Sequence, residues 1–123
     1  RMIKGHCLCG NIHFSSEKPA KKAIVCHCGQ CRRQTSHQFA SAEVEDADLI
    51  ITGDVTWFTL SPEAKRGFCA ACGSFLFWKG LADSFTCVSM GALESPTGLR
   101  LSKHIFTADK GDYYDIADGL PQS

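Results

Sequence analysis

The stretch 26-CHCGQCRR-33 holds three of the eight cysteines of this chain, in a C-x-C-x-x-C pattern. Working outward from it, a C-x-C pair precedes it in 7-CLC-9 and a C-x-x-C pair follows it in 69-CAAC-72, whereas Cys87 stands alone. A disulfide within C-x-C is strained, but closely spaced thiolates suit a tetrahedral ion with Zn–S bonds near ~2.3 Å. The spacing therefore favours metal thiolates over a disulfide framework.

The seven clustered cysteines divide most simply as four plus three. A closed four-thiolate site normally supports a fold, while three protein ligands with an open position are the usual arrangement of a catalytic zinc. Spacing alone does not decide which clusters combine, and a competing pairing would split the central cluster. We favour the division that keeps whole clusters together: Cys7, Cys9, Cys69 and Cys72 in one site, and Cys26, Cys28 and Cys31 in the other.

Glycines accompany all three clusters. Gly10 follows Cys9, Gly73 follows Cys72, and Gly29 lies inside the central cluster. A knuckle that wraps two thiolates around one ion turns sharply, and glycine accepts a positive φ without a Cβ clash. We expect all three glycines to serve such turns.

Length and composition bound the remaining possibilities. The 123 residues suit one domain over residues 1–123, and 44% hydrophobic with 21% charged residues is ordinary for a globular protein. Thirteen Lys and Arg balance 13 Asp and Glu, which argues against nucleic acid as a partner, and no apolar run is long enough to span a membrane. Residues 1–10 show no secretory signal, so we expect a cytoplasmic protein.

Short segments rich in β-branched and aromatic residues alternate with turn residues along the whole chain. We expect mainly antiparallel β-structure with little helix, the one helical turn lying over residues 30–37. The predicted strands cover residues 2–6, 11–15, 23–26, 39–44, 49–52, 56–60, 74–78, 85–89 and 98–106.

These residues resemble the family of glutathione-dependent formaldehyde-activating enzymes, whose domain is shared with centromere protein V. The resemblance rests on 5-GHCLCG-10, 26-CHCGQCRR-33, 66-RGFCAACGS-74, and the closing segments 104-HIF-106 and 118-DGLP-121. It implies a single-domain β-tent fold whose short antiparallel sheets are joined by zinc. It also implies a structural zinc on the four outer cysteines and a second, more labile zinc on Cys26, Cys28 and Cys31.

The resemblance implies a carbon-sulfur lyase activity run in reverse: glutathione, or a related thiol, condenses with formaldehyde or another small aldehyde to S-hydroxymethylglutathione or its analogue. A thiol that fills the open zinc position loses its proton, which supplies the nucleophile. The two carboxylates of glutathione make four cations the candidate substrate-binding residues, namely Arg32, Arg33, Lys65 and Arg66. The candidate proton donors to the developing alkoxide are His27, Ser36 and His37, with a backbone N–H as the alternative.

One position departs from the family pattern. Many members have glycine after the Thr or Ser that follows the central cluster, whereas Ser36 follows Thr35 here. Ser36 is expected either to narrow the substrate groove or to contribute a hydroxyl to it. Cys87 lies in an apolar strand and is expected to be a buried packing thiol, with a redox role as the alternative.

Two other classes of function compete with the enzyme. The first is a non-catalytic zinc-binding interaction or chaperone-like module of the same fold, which would expose an apolar patch and hold its second zinc tightly. The second is a nucleic-acid-binding zinc ribbon, which the neutral charge disfavours. The oligomeric state is open.

Overall fold

The computed structural model describes residues 2–123 and confirms a mainly β architecture, with 43% strand and 11% helix. One α-helix, α1, spans Gly29–Thr35, and two single 3₁₀ turns cover Met90–Ala92 and Thr107–Asp109. The ten strands are β1 Ile3–His6, β2 His13–Ser16, β3 Ala23–Cys26, β4 Phe39–Glu45, β5 Leu49–Thr52, β6 Thr56–Ser61, β7 Ala64–Phe68, β8 Phe75–Gly80, β9 Phe85–Ser89 and β10 Leu101–Ile105.

The strands form two sheets. The smaller has the order β1-β2-β5, and the larger has the order β10-β3-β4-β9-β8-β7-β6. Most neighbours are antiparallel as predicted, but β10 pairs in parallel with β3, bringing His104 opposite Val25 and Ile105 opposite Cys26. The end of β3, where the central cysteine cluster begins, therefore lies beside the end of β10.

Strand β7 was not predicted. Its residues, AKRGF, carry two adjacent charges and a glycine, and they read as the approach to the 69-CAAC-72 knuckle. The structure pairs this segment on both sides, with β6 and with β8, and buries Ala64, Arg66 and Gly67. Pairing with two neighbours thus overrides a weak local preference for strand.

The main hydrophobic core lies between the two sheets. Phe14 of β2 packs edge-on against Phe77 of β8, with ring centroids 5.2 Å apart, and Ile12, Val44 and Leu76 are almost fully buried around them. A smaller cluster forms where Phe39 meets Phe75 beside Cys31 and Cys87. Each core includes cysteines of one predicted metal site. None of the described helices has the length and apolar character of a membrane-spanning helix.

Candidate metal centres and the adjoining cavity

The four outer cysteines converge at one point. The sulfur atoms of Cys7, Cys9, Cys69 and Cys72 all lie within 4.8 Å of one another, and all eight cysteines are free thiols. A regular tetrahedron with Zn–S bonds of ~2.3 Å has S···S edges of about 3.8 Å. The Sγ atoms of Cys7 and Cys9 are 3.6 Å apart, and those of Cys9 and Cys69 are 3.7 Å apart. These sulfurs fit a tetrahedral zinc without rearrangement.

Both knuckles of this cluster have the tight turns that the glycines predict. Gly10 and Gly73 have φ values of +82° and +79°, and their N–H groups donate to the carbonyl oxygens of Cys7 and Cys69, respectively. The N–H of Leu8 donates to Ser74 Oγ at 3.0 Å, which ties one knuckle to the other. Gly29 differs: it begins α1 and has no positive φ, so the prediction of a turn there was wrong.

The surroundings of Cys7 and Cys72 lower the pKa of their thiols, whereas desolvation and the neighbouring thiols raise the pKa of Cys9 to about 12 despite the N–H of Asn11. The N–H of Ile12 donates to Cys7 Sγ at 3.3 Å, and hydrogen bonds from the side chain and N–H of Ser74 lower the pKa of Cys72 to about 5. Cys7 and Cys69 are buried within the main core beside Phe14 and Leu76. An ion held here would join β1 to the β7–β8 connection through the core itself.

The central cysteines form a second cluster of three sulfurs, those of Cys26, Cys28 and Cys31, also within 4.8 Å of one another. Cys26 ends β3, Cys28 is the N-cap of α1, and Cys31 lies in the first turn of the helix, where its N–H donates to Cys28 Sγ at 3.3 Å. The hydrogen bond from the Cys31 thiol, helped by the N–H of Cys28 and the charge of Arg66, lowers the pKa of Cys26 to about 6 despite burial. Three soft sulfur donors with one activated thiolate suit zinc.

This second cluster opens onto a cavity of about 840 Å³, and all three of its cysteines line it. Apolar walls come from Phe39, Trp78, Phe85 and Phe106. Charged side chains of both signs complete the lining: Lys22, Arg33, Arg66 and Lys103 are basic, and Glu43, Asp83 and Asp109 are acidic. The cavity can therefore receive a small molecule that carries charges of both signs and has a group able to reach the three sulfurs.

Only two of the four predicted substrate-binding cations line this cavity. Arg66 of β7 is 6% exposed and donates to Gln30 Oε1 at 2.7 Å, and Arg33 is exposed. Among the described residues, Arg32 is half-buried with no partner for its Nε, and Lys65 lies over the Trp57 ring, 4.2 Å from its centroid. Within the described residues 2–123, neither Arg32 nor Lys65 lines the cavity.

Within the described residues 2–123, none of the three predicted proton donors lines the cavity. Ser36 is exposed at the C-terminal end of α1, with φ 71°. His37 is exposed, and its Nδ1 lies 3.0 Å from the hydroxyl of Tyr113. His27 is fully buried, its ring nitrogens contact Tyr114 and His104, and burial lowers its pKa.

Sequence reasoning missed several residues of the site. Lys22 directly precedes β3, Glu43 lies on β4 and Lys103 lies on β10. The parallel pairing of β10 with β3 brings Lys103 to the cysteines, and the antiparallel pairing of β4 with β3 brings Glu43 there. Cys87 also lines the cavity, and burial raises the pKa of its thiol to about 11. Cys87 is only 8% exposed, as expected for a buried packing thiol, but one side of the residue faces the cavity.

The fold and the two cysteine clusters define a class: a small β-sheet protein with one thiolate site built into its core and a second on the wall of a cavity. The profile of the glutathione-dependent formaldehyde-activating enzyme family matches residues 2–109. The chain belongs to this family.

A solved structure supports the fold. A protein from Rhodobacter sphaeroides with 24% sequence identity superposes with a TM-score of 0.65, covering 98% of this chain and 99% of that one. A search of curated proteins finds no match.

Proposed function

We propose that the protein is a zinc enzyme that adds a thiol, glutathione or a relative, to formaldehyde or another small aldehyde. In classification terms it would be a carbon-sulfur lyase of the S-(hydroxymethyl)glutathione synthase type. One observation carries the proposal: the three-sulfur cluster lines a cavity with charges of both signs, whereas among the described residues no cysteine of the four-sulfur cluster lines that cavity. Family membership supports chemistry with glutathione and formaldehyde.

The reaction needs only a thiolate, an aldehyde and a proton. When bound, zinc would supply a fourth coordination position beside Cys26, Cys28 and Cys31, at which a thiol is deprotonated near neutral pH. The sulfur lone pair then forms the new C–S bond as the C=O π bond breaks, and the oxygen takes up the proton that the thiol lost. No oxidant or reductant is consumed, so positioning and charge stabilisation account for the catalysis.

The charges of the cavity suit glutathione, which has two carboxylates and one ammonium group. We assign Arg33 and Lys103 to the carboxylates, because both line the cavity and neither is in a salt bridge among the described residues. Lys22 is already paired with Glu43 at 3.4 Å. Asp83 and Asp109 are the acidic groups left to face the ammonium.

For the developing alkoxide we propose Arg66 in place of the three donors expected from the sequence. Its guanidinium has five N–H donors, and the Nη2 group donates to Gln30. It is buried beside the sulfurs, where its charge already acts on Cys26. A buried cation stabilises a developing negative charge more strongly than an exposed cation does, because solvent screens its charge less.

Exchange NMR tests the activity. Zinc-loaded protein is mixed with glutathione and formaldehyde, and the rate of exchange between free glutathione and its hydroxymethyl adduct is compared with the protein-free rate. We expect faster exchange with the protein and no acceleration with Cys28→Ser. A rate equal to the uncatalysed one across several thiols and aldehydes would refute the proposal.

Arg66→Gln tests the assigned donor against a matched control. Arg66→Gln should lower the catalysed rate by up to about 10²-fold, the effect of removing one donor from a developing oxyanion. Arg100→Gln changes an exposed arginine outside the cavity lining and should leave the rate unchanged. Equal rates for the two variants would exclude Arg66 from this role.

The eight free cysteines suit a reducing compartment, and we propose the cytoplasm, where glutathione is abundant. A second candidate function is the non-catalytic interaction module. One observation favours it: Phe58 and Leu60 of the edge strand β6 are 49% and 56% exposed. In that case zinc-loaded protein would leave the exchange rate at its uncatalysed value, and Phe58→Ser would abolish partner binding without changing the zinc count.

A further inference from the structure

The closing segments 104-HIF-106 and 118-DGLP-121 have no role in the chemistry above, yet both reach the three-sulfur cluster through His27. His27 lies between Cys26 and Cys28, and its side chain is fully buried. Its Nε2 is 2.8 Å from His104 Nδ1, and its Nδ1 contacts the hydroxyl of Tyr114. His104 Nε2 is in turn 2.8 Å from Asp118 Oδ2.

With both imidazole rings neutral, these contacts define one direction of donation along the chain of four side chains. A carboxylate only accepts, so His104 Nε2 carries a proton and donates to Asp118. In a neutral His104 ring, Nδ1 is then the acceptor, and His27 Nε2 is the donor to it. His27 Nδ1 is left as the acceptor for the Tyr114 hydroxyl. In this arrangement all donors point toward Asp118.

The carboxylate at the end of this chain is itself held in place. The N–H of Leu120 donates to Asp118 Oδ1 at 3.1 Å. The backbone of His104 is bonded to the same C-terminal segment, since its N–H donates to the Pro121 carbonyl at 2.9 Å and its carbonyl accepts from Ser123 at 3.0 Å. The anchor for His27 is therefore a folded C-terminal segment, of which residues 110–123 lie beyond the family match.

The main chain of His27 is fixed as well. Its N–H donates to the carbonyl of Ile105 at 3.0 Å, continuing the pairing of β3 with β10. With both its backbone and its ring held, the residue has little freedom to rotate. Its two neighbours in the chain supply two of the three sulfurs, so the spacing and direction of these sulfurs depend on how His27 is held.

We propose that Asp118, His104 and Tyr114 are positioning residues for the three-sulfur metal site, acting through the His27 ring to hold Cys26 and Cys28 in ligand geometry. The inference rests on the proposed function in that it takes this cluster as the second zinc site. It assigns His27 to orientation of the ligands and not to contact with substrate. Groups that orient metal ligands typically contribute about 10- to 100-fold in metal affinity.

The test measures metal affinity at each site separately. Protein loaded with two equivalents of zinc is exposed to increasing EDTA, and the remaining zinc is counted by native mass spectrometry. Asp118→Ala should weaken binding of the more labile zinc about 10- to 100-fold and leave the tighter zinc unchanged. The side chain of Asp118 is 45% exposed, so its loss leaves no buried cavity.

Three further variants separate positioning from general support of the fold. Asp118→Asn keeps an oxygen that accepts from His104 and should restore zinc affinity to within a few-fold of wild type. Tyr114→Phe removes only the hydroxyl and should weaken the labile zinc selectively. Asp115→Ala, an exposed acid of the same segment, should behave as wild type.

Wild-type affinity for the labile zinc in Asp118→Ala would overturn the inference, as would equal weakening of both zinc ions together with a lower melting temperature. Selective weakening in a protein that does not accelerate the thiol–aldehyde reaction would support the inference and refute the proposed function. A wild-type protein that binds no zinc at Cys26, Cys28 and Cys31 would overturn both.

Discussion

Ser36→Gly is the substitution that best separates a structural from a substrate-binding role at the family's glycine position. Ser36 is the C-terminal cap of α1, with φ 71° and ψ 0°, and no hydrogen bond of its hydroxyl is found among the described residues. The left-handed conformation costs a residue with a Cβ about 1 kcal/mol, and helices favour glycine at this position. The variant should therefore be about 1 kcal/mol more stable.

The size of the expected shift in melting temperature follows from the length of the chain. Unfolding entropy of about 2.1 cal/mol/K per residue gives about 0.26 kcal/mol/K for 123 residues, so 1 kcal/mol corresponds to about 4 °C. Differential scanning calorimetry at constant zinc measures this shift. Ser36 is not among the described residues that line the cavity, so the exchange rate of the thiol–aldehyde reaction should not change.

Ser36→Ala is the matched control. It removes the hydroxyl but keeps the Cβ in the left-handed conformation, so its melting temperature should stay within about 2 °C of wild type, and its exchange rate should be unchanged. A Ser36→Gly variant that is no more stable than wild type would refute the strain argument. A lower exchange rate in both variants would instead restore Ser36 as a substrate contact.

Three other outcomes are expected. Cys69→Ala should abolish the cooperative thermal transition seen by circular dichroism, because a structural zinc contributes roughly 10 kcal/mol or more to folding; melting within a few degrees of wild type would contradict this. Gly73→Ala should lower the free energy of unfolding in urea by ~1–2 kcal/mol, because Gly73 has a φ of +79°. Gly29→Ala, at the start of α1, should leave the free energy of unfolding unchanged. Equal effects of the two substitutions would refute this distinction. Graded chelation should pass through a one-zinc species with unchanged circular dichroism, and simultaneous loss of both ions would contradict a labile second site.

The cysteine pattern carried most of what could be predicted from the sequence. Clusters within a few residues of one another are local features, and the number of sulfurs alone suggested one group of four and one of three. The structure brings together the two groups that were favoured. The strands were also largely predictable, because alternating burial leaves a mark on the sequence, as in β4, where Ala42 and Val44 face the core.

The surroundings of the cysteines could not be predicted, because they depend on contacts between distant parts of the chain. The bonds of His27 join it to residues 77 and 87 positions away. Its alternation with two ligands indicated only that the ring points away from the ion. The groups that contact the His27 ring depend on the parallel pairing of β10 with β3. No spacing in the sequence predicts that pairing.

The two clusters contain the same kind of donor atom, so the difference in function proposed for them comes from the number of sulfurs, four against three, and from how each cluster is embedded. Cys7 and Cys69 are 1% and 2% exposed and pack among the core residues that join the two sheets. Cys9 of the same cluster is exposed, but an ion held there would have all four positions filled by protein sulfur, which leaves none for a substrate thiol. Cys26 and Cys28 are only partly buried and line the cavity, and their geometry depends on a hydrogen-bond chain that ends at an exposed carboxylate. In the proposed function, the second site would therefore exchange a ligand without unfolding the sheets, which is the property that a thiol-activating site requires.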